Sequence, residues 1–348
     1  ALVLTGYGLK DAINDIVQNQ FQKVFRYDLL AGYSAEDEAE EQALFDQLES
    51  DPDIKEWMPQ YRAAITAVDE RHSYEVNLTV SQDYTRLTDF ISLQERVSRR
   101  VLTPEREGAI ITEKLGTMLG LKAGDTLTLR DGDNRTYELA IAGVSENYAS
   151  HFVYISAEYY EEVFGKAPEY NSVIIRLADR DDWAAASEKL LAGGTVQMIS
   201  SDAELVDQYK NVTDNLGYVV AVLIVSAGLL AFVVQYNLSN INITERTREI
   251  ATLKVLGFYD GEVSAYIYRE SVILTILGTG LGLLLGTALT RFVVATAEVD
   301  SIMFGRSIYW PSFLMAALIT FLFSFLVNWV MHYRLKKINM VESMKSVD

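Results

Sequence analysis

Three uninterrupted apolar stretches, Leu216–Leu238, Ser271–Ala295 and Ile308–Tyr333, occupy the C-terminal part of the chain and constrain everything else about it. Each reaches the ~20 mostly apolar residues needed to cross a hydrocarbon core of ~30 Å. A helix in a water-soluble domain keeps one face polar, and these stretches do not. The sequence therefore predicts an integral membrane protein, with the polar residues before Leu216 gathered in a domain of their own.

Lys and Arg assign the sides. The segment Ser239–Glu270 carries Arg246, Arg248, Lys254 and Arg269, and the tail after Tyr333 carries Arg334, Lys336, Lys337 and Lys345. The short Thr296–Ser307 loop has only Arg306, with Arg291 just inside the preceding span. Positive charge marks the cytoplasmic side, so the loop and tail are expected inside and the polar block outside. The opening residues ALVLTGYG read as the outer end of a membrane helix rather than a signal peptide. The expectation is a four-span unit whose first span is truncated, cut from something longer. Its order is 1–22, end of the first span and a stalk helix; 23–201, an extracytoplasmic α+β domain; 202–238, a stalk helix and span. Then follow 239–270, a cytoplasmic loop with a short helix; 271–295, a span; 296–307, a short outer loop; 308–333, a span; and 334–348, a cytoplasmic tail.

Charge is concentrated in the polar block. Residues 1–210 hold 20 Lys and Arg against 38 Asp and Glu, whereas the remainder holds 10 of each, so the net charge of -18 belongs to the outer domain. A nucleic-acid partner is excluded by that sign, while basic peptides are tolerated. There are no cysteines, so disulfides and thiol chemistry are absent.

Within the polar block, strands are expected at Phe25–Leu29, Ala63–Val68, Tyr74–Val80, Val153–Ser156, Val173–Leu177 and Val196–Ser200. TLTLR, a DGDN turn and TYELAIAGV form a hairpin. Helices are expected at Ala35–Leu48, Ile110–Leu119, Ala157–Phe164 and Trp183–Leu191. This mixture suffices for one α+β core, in one or two lobes. Ser201-Asp202 caps a helix that runs without Pro or Gly to Leu216, with Leu205, Tyr209 and Val212 along one side. Leu9, Ile13 and Ile16 offer a matching stripe near the N-terminus, as in the two seams of a coiled coil. A two-helix stalk is one reading; two helices packed on the outer domain is the other.

Catalytic and metal constellations do not emerge. No G-x-x-x-x-G-K-[ST] phosphate loop or G-x-S-x-G elbow occurs, and His72, His151 and His332 are scattered. Asp131-Gly-Asp133-Asn134 resembles the start of a calcium loop, but Arg135 stands where an oxygen ligand belongs, so a hairpin turn is expected. Glu36, Asp37, Glu38, Glu40 and Glu41 read as a solvated helix face. Gly278, Gly282 and Gly286, four residues apart inside a span, read as a helix-packing stripe. No catalytic residue, metal or bound cofactor is expected in this chain.

The cytoplasmic segment is more specific. Thr247–Leu256 reads as a short helix with Ile250, Leu253 and Leu256 along one side, flanked by Arg248, Glu249 and Lys254, and Gly257 stops it. Such a helix either lies in the headgroups or fills a groove on a cytoplasmic partner. The run ERTREIATLKVLGFYDGEVSAYIYRE (Glu245 to Glu270), the glycine-rich span after it and the ending LKKINMVESMKS resemble the FtsX-like permease family, the membrane subunits of MacB- and LolC-type ABC transporters. IITEKLGTMLGLKAGDTLTL followed by YELAIAGV resembles the MacB-type extracytoplasmic core domain.

The resemblance implies a multi-pass helical membrane domain carrying an outer α+β MacB-core-like domain on a helical stalk. It implies a coupling helix at Thr247–Gly257 docked on a separate cytoplasmic ABC ATPase, which holds the ATP and Mg, with Arg248, Glu249, Lys254 and Gly257 matching the family pattern. A second permease unit is implied too, as a homodimer, a heterodimer or the upstream half of one large Gram-positive permease chain, in contact with membrane lipid. The implied job is mechanotransmission, for export or extraction of lipid, lipoprotein or peptide. The alternative is a signalling module that controls an outer hydrolase or a sensor kinase. A purely structural membrane anchor is a third possibility.

Overall fold

The computed structural model describes residues 1–69, 71–102 and 107–336; the side chains of residues 209, 212–216, 254, 260, 264, 266–268 and 334–336 lie outside the description. In chain order the elements are α1 (Leu2–Asn19), a π-helical turn (Gln20–Val24), β1 (Leu29–Tyr33), α2 (Glu38–Ser50), β2 (Ile54–Val68), β3 (Ser73–Ser81), α3 (Leu87–Phe90), β4 (Ala109–Thr112) and α4 (Glu113–Leu119). They continue with β5 (Thr126–Arg130), β6 (Thr136–Ser145), β7 (Phe152–Ser156), α5 (Ala157–Phe164), β8 (Ser172–Leu177), α6 (Trp183–Ala192) and β9 (Val196–Ser201). The last four are α7 (Asp202–Glu245), α8 (Thr247–Val255), α9 (Asp260–Ala297) and α10 (Trp310–Lys336). The chain divides into two compact units: an outer unit, Ile13–Val212 with Glu298–Gly305, and a membrane unit, Ala1–Ala12 with Thr213–Ala297 and the residues from Arg306 on.

The outer unit is organised by β2, a strand of 15 residues. Its first half, Ile54–Gln60, pairs with β8, and its second half, Gln60–Val68, pairs with β3, with Thr66–Val68 also pairing β5. Following neighbours from β2 through β3, β7, β4, β6 and β5 leads back to β2, a closed ring of six strands. Closure removes the open edges that a flat sheet leaves unpaired. Inside the ring lie Val76, Leu78, Ile111, Leu127, Leu139 and Ile155, all nearly inaccessible to solvent. The second lobe is the antiparallel sheet β2–β8–β1–β9, whose apolar face packs with Leu44, Leu48 and Leu190 of α2 and α6. A third cluster, rich in aromatic side chains, joins Ile16, Phe21 and Phe25 to Phe90, Phe152, Tyr154 and Met303.

Several expected elements shift. Ile110–Leu119 is not one helix: Ala109–Thr112 is the wholly buried strand β4, held between β6 and β7, and only Glu113–Leu119 is helical. A short apolar run fits a buried strand as well as a helix, and pairing on both sides decides it. The strand placed at Phe25–Leu29 starts at Leu29 instead, while Phe25 makes an isolated bridge to Ile91. Ala63–Val68 is only the end of β2, because Lys55, Glu56 and Pro59 disguise its first half. The β5–β6 hairpin forms as expected. Its Asp131 carboxylate accepts the Asp133 and Arg135 N–H groups and the Tyr137 hydroxyl.

In the membrane unit, Gly217–Glu245, Arg269–Ala297 and Trp310–Tyr333 are long and apolar enough to span a bilayer. The first runs to Glu245, not to Leu238, so the helix continues into the expected cytoplasmic loop. Leu229, Leu284 and Phe325 point outward, as lipid-facing side chains do. Small residues bring the helices together. A Cβ on Gly286 would lie 3.0 Å from Leu4 Cδ2, and one on Gly8 would lie 2.5 Å from Thr290 Cγ2, so α1 and α9 touch almost backbone to backbone. A Cβ on Gly282 would lie 3.5 Å from Ala1 N, whereas one on Gly278 would meet no neighbouring element within 4 Å, so only the outer two-thirds of the glycine stripe is a packing seam. Polar bonds finish the bundle: Gln235 Nε2 donates to Ser324 Oγ at 2.8 Å, and Asp11 accepts from Tyr309 N at 3.0 Å and Ser312 Oγ at 2.6 Å.

Candidate functional site

The cytoplasmic turn begins where α7 ends. Arg246 pairs with Glu270 of α9 at 2.8 Å, closing the turn at its base. Thr247 Oγ1 donates to the Ile243 carbonyl, and α8 then runs for nine residues. Ile250 and Ala251 are fully buried; Ile250 packs with Ile243 of α7, Val263 of α9, and Val327 and Met331 of α10, and Leu253 is half-buried on that cluster. The helix stops at Gly257, whose φ of +92° is open to glycine and strained for other residues. Phe258 N donates back to the Leu253 carbonyl at 3.2 Å, and the Glu262 carboxylate accepts Tyr259 N at 2.9 Å, starting α9.

This geometry splits the residues expected to couple to a partner. Ile250 faces the protein's own core and is unavailable to any partner; Leu253 is largely used the same way. The outward surface is made instead by Val255, Leu256, Phe258 and Tyr259, with Leu256 70% and Tyr259 80% exposed. Arg248 and Glu249 are exposed on α8, and the Lys254 side chain lies outside the described residues. The apolar pattern on α8 thus reports mainly how the helix is anchored. The exposed apolar surface lies one turn further on, around Gly257.

Of the expected stalk seam, Ile13 and Ile16 are buried, and Leu205 is partly buried against the same aromatic cluster that holds Ile16. Leu9 belongs to the membrane unit, and the side chains of Tyr209 and Val212 lie outside the described residues. Among the described residues no cluster of His, Asp or Glu is arranged to hold a metal ion.

Two polar features of the outer unit escaped sequence reasoning. Residues 298–305, expected as a simple connecting loop, are built into the outer unit: Ile302 bridges Ala149, and Met303 is buried in the aromatic cluster. The apolar run Ile302-Met303-Phe304 was the available signal. The second feature is a buried acid cluster. Asp28 is ion-paired to Arg180 and accepts Leu177 N at 2.8 Å, while Asp202 lies 3.7 Å from the same guanidinium. Asp202 Oδ2 is buried without a hydrogen bond. Burial, opposed by Arg180 and reinforced by Asp28, pushes the Asp202 carboxyl up to about 8. These residues border a cavity of about 350 Å³ together with Phe21, Trp183 and Val206.

Membrane-spanning helices, an α/β domain outside and a short anchored helix on the basic side define a multi-pass membrane protein of the transporter-permease class. Residues 221–340 match the FtsX-like permease C-terminal family, and residues 1–192 match the MacB-like periplasmic core domain. The chain belongs to the MacB/FtsX-like permease family, of the ABC-transporter type, whose members generally work with a cytoplasmic ABC ATPase. Among solved structures, the periplasmic region of MacB from Actinobacillus actinomycetemcomitans is similar at 12% identity, covering 56% of this chain and 98% of that one, with a TM-score of 0.34. The extracellular domain of the noncanonic ABC-type transporter YknZ from Gram-positive bacteria is similar at 15% identity, covering 51% and 99%, with a TM-score of 0.33. A domain of a putative permease protein from Porphyromonas gingivalis gives 14% identity, 48% and 84% coverage, and a TM-score of 0.27. No curated protein matches the chain.

Proposed function

We propose that this chain is the permease unit of an ABC transporter that relays ATP-driven motion from a cytoplasmic ATPase to its outer domain. One observation carries the reading: α8 is pinned to α7, α9 and α10 through Ile250, while the turn it leads into exposes Val255, Leu256, Phe258 and Tyr259 side by side. A push on that turn is delivered to three membrane helices at once, because a packed cluster does not deform continuously. A row of large exposed apolar side chains, following a helix that exposes Arg248 and Glu249, is the kind of surface that fills a groove on a protein partner.

In this reading the ATPase binds ATP and Mg, and the chain itself performs no covalent step. It works beside a second permease unit, with lipid, lipoprotein or peptide as the class of cargo. The test is co-purification of the cognate ATPase with the full chain carrying Leu256→Glu and Tyr259→Glu. Loss of the ATPase with the permease still folded supports the reading. Undiminished recovery of the ATPase overturns it.

A further inference from the structure

The outer unit contains a segment that sequence order assigns to the membrane half: residues 298–305, the whole link between α9 and α10 apart from its last few residues. It is fixed there at several points. Glu298, with a side chain only 6% exposed, pairs at 3.0 Å with Lys114 of α4, which is itself 15% exposed. The other Glu298 oxygen accepts Phe304 N at 2.7 Å, so one carboxylate ties the start of the loop to its end and to α4. Ser150 N donates to the Ser301 carbonyl at 2.7 Å and Met303 N to the Tyr148 carbonyl at 2.9 Å, on either side of the Ala149–Ile302 bridge. Met303 then enters the aromatic cluster, with Ile302 and Phe304 against it.

The receiving loop, residues 146–150, is equally determined. Gln20, completely buried in the π-helical turn after α1, donates to Asn147 Oδ1 at 2.9 Å and accepts Tyr148 N at 2.7 Å. Asn147 Nδ2 donates to the Ala149 and Ser150 carbonyls, both at 2.8 Å. The His151 imidazole is buried next to these groups, and burial and the Lys114 charge hold its pKa below the usual histidine range while Asp300 opposes them. A connector between two membrane helices needs none of this. Loops ordinarily run over the surface, whereas this one, exposed at residues 299–301, is held by a shielded carboxylate, backbone bonds and a core methionine.

We infer that residues 298–305 are a latch through which α9 and α10 hold and move the outer domain, with Glu298 as its positioning residue. The outer domain is then driven from both ends of the membrane bundle in sequence, through α1 and α7 and again through the α9–α10 link. The drive rests on the relay reading above; the closed latch does not. Glu298 keeps the latch closed, because opening it breaks a shielded ion pair and draws Met303 out of the aromatic cluster.

The test uses the full chain with its ATPase in lipid nanodiscs, comparing wild type with Glu298→Ala. Two readouts are taken. Backbone hydrogen exchange at Ser150, Met303 and Phe304 reports latch closure. Energy transfer between a dye on Val97→Cys, a position 82% exposed in an otherwise cysteine-free chain, and dyes at the lipid surface reports ATP-driven motion of the outer domain. Expected in the variant are exchange at least tenfold faster at those three amides and an ATP-driven transfer change reduced to half or less, with ATP hydrolysis continuing. Unchanged exchange overturns the latch itself. Faster exchange with the full transfer change overturns its role in driving the domain. No transfer change in wild type overturns the relay, and the drive with it, while exchange still decides whether the latch is closed. Should Glu298→Ala fail to fold, Lys114→Met with Glu298→Gln removes the ion pair to α4 while keeping an acceptor for Phe304 N, and the same outcomes are read with exchange taken at Ser150 and Met303 only.

Discussion

Replacing Asp202 by Asn gives a stability change whose size and pH dependence follow from the buried acid cluster. Asp202 is 3% exposed, its Oδ2 makes no hydrogen bond, and its carboxyl is pushed from 3.8 up to about 8. It opens α7, where a helix N-terminus favours a negative charge, yet burial outweighs that help. Below pH 4 both folded and unfolded chains carry the proton. Between pH 4 and 8 the unfolded chain releases it and the folded chain keeps it, so stability falls as pH rises. The slope is about 1.4 kcal/mol per pH unit and the ceiling roughly 6 kcal/mol, because a tenfold change in proton affinity between the folded and unfolded chains is worth about 1.36 kcal/mol. Above pH 8 the contribution is flat. Asn has the same shape and no charge to release, so Asp202→Asn removes this slope and leaves those of all other groups in place. The assay is urea unfolding of the whole chain in nanodiscs at pH 5, 6, 7 and 8, followed through tryptophan fluorescence with Trp57, Trp310 and Trp329 replaced by Phe in both proteins, which leaves Trp183 at the border of the same cavity. The variant should gain on wild type steadily across that range and be several kcal/mol more stable at pH 8. A stability difference that stays constant from pH 5 to 8 refutes the reasoning.

Other substitutions separate anchoring from docking. Ile250→Ala, in the cluster of α7 to α10, should cost roughly 2–5 kcal/mol as a core cavity, whereas Leu256→Ala on the exposed turn should cost under about 0.5 kcal/mol yet weaken ATPase binding, both read by unfolding and pull-down. Gly257→Ala forces a side chain onto a φ of +92° and should lower stability by about 1–2 kcal/mol, with faster exchange at Phe258 N. Gly286→Leu places a side chain where Leu4 and Ala1 already lie and should lower the unfolding temperature, while Gly278→Ala, with open space around it, should leave it unchanged.

The features legible from the sequence are those set by local chemistry. Three spans follow from length and apolarity, and sidedness from Lys and Arg. The β5–β6 hairpin follows from alternation around a DGDN turn, and the start of α7 from Ser201, whose Oγ accepts Glu204 N at 3.1 Å. Nonlocal pairing was not legible. β4 looked helical because a four-residue apolar run carries no period, and the ring depends on β2 switching from one partner set to another at Gln60. The Ile250 stripe was visible, but amphipathicity alone does not say whether an apolar face meets its own bundle or a partner. The anchoring of residues 298–305 rests on one carboxylate and backbone bonds to residues about 150 positions away, which no local pattern encodes.

The relay stands or falls on where the cytoplasmic turn sits during turnover. Because the chain has no cysteine, Leu256→Cys supplies a single reactive site there. Crosslinking from that site, in vesicles containing the ATPase, should join the two proteins in high yield, with the yield changing between ATP-bound and nucleotide-free states. Labelling of Leu256→Cys only from the outer side of the membrane, or crosslinking only to lipid in every nucleotide state, contradicts the account.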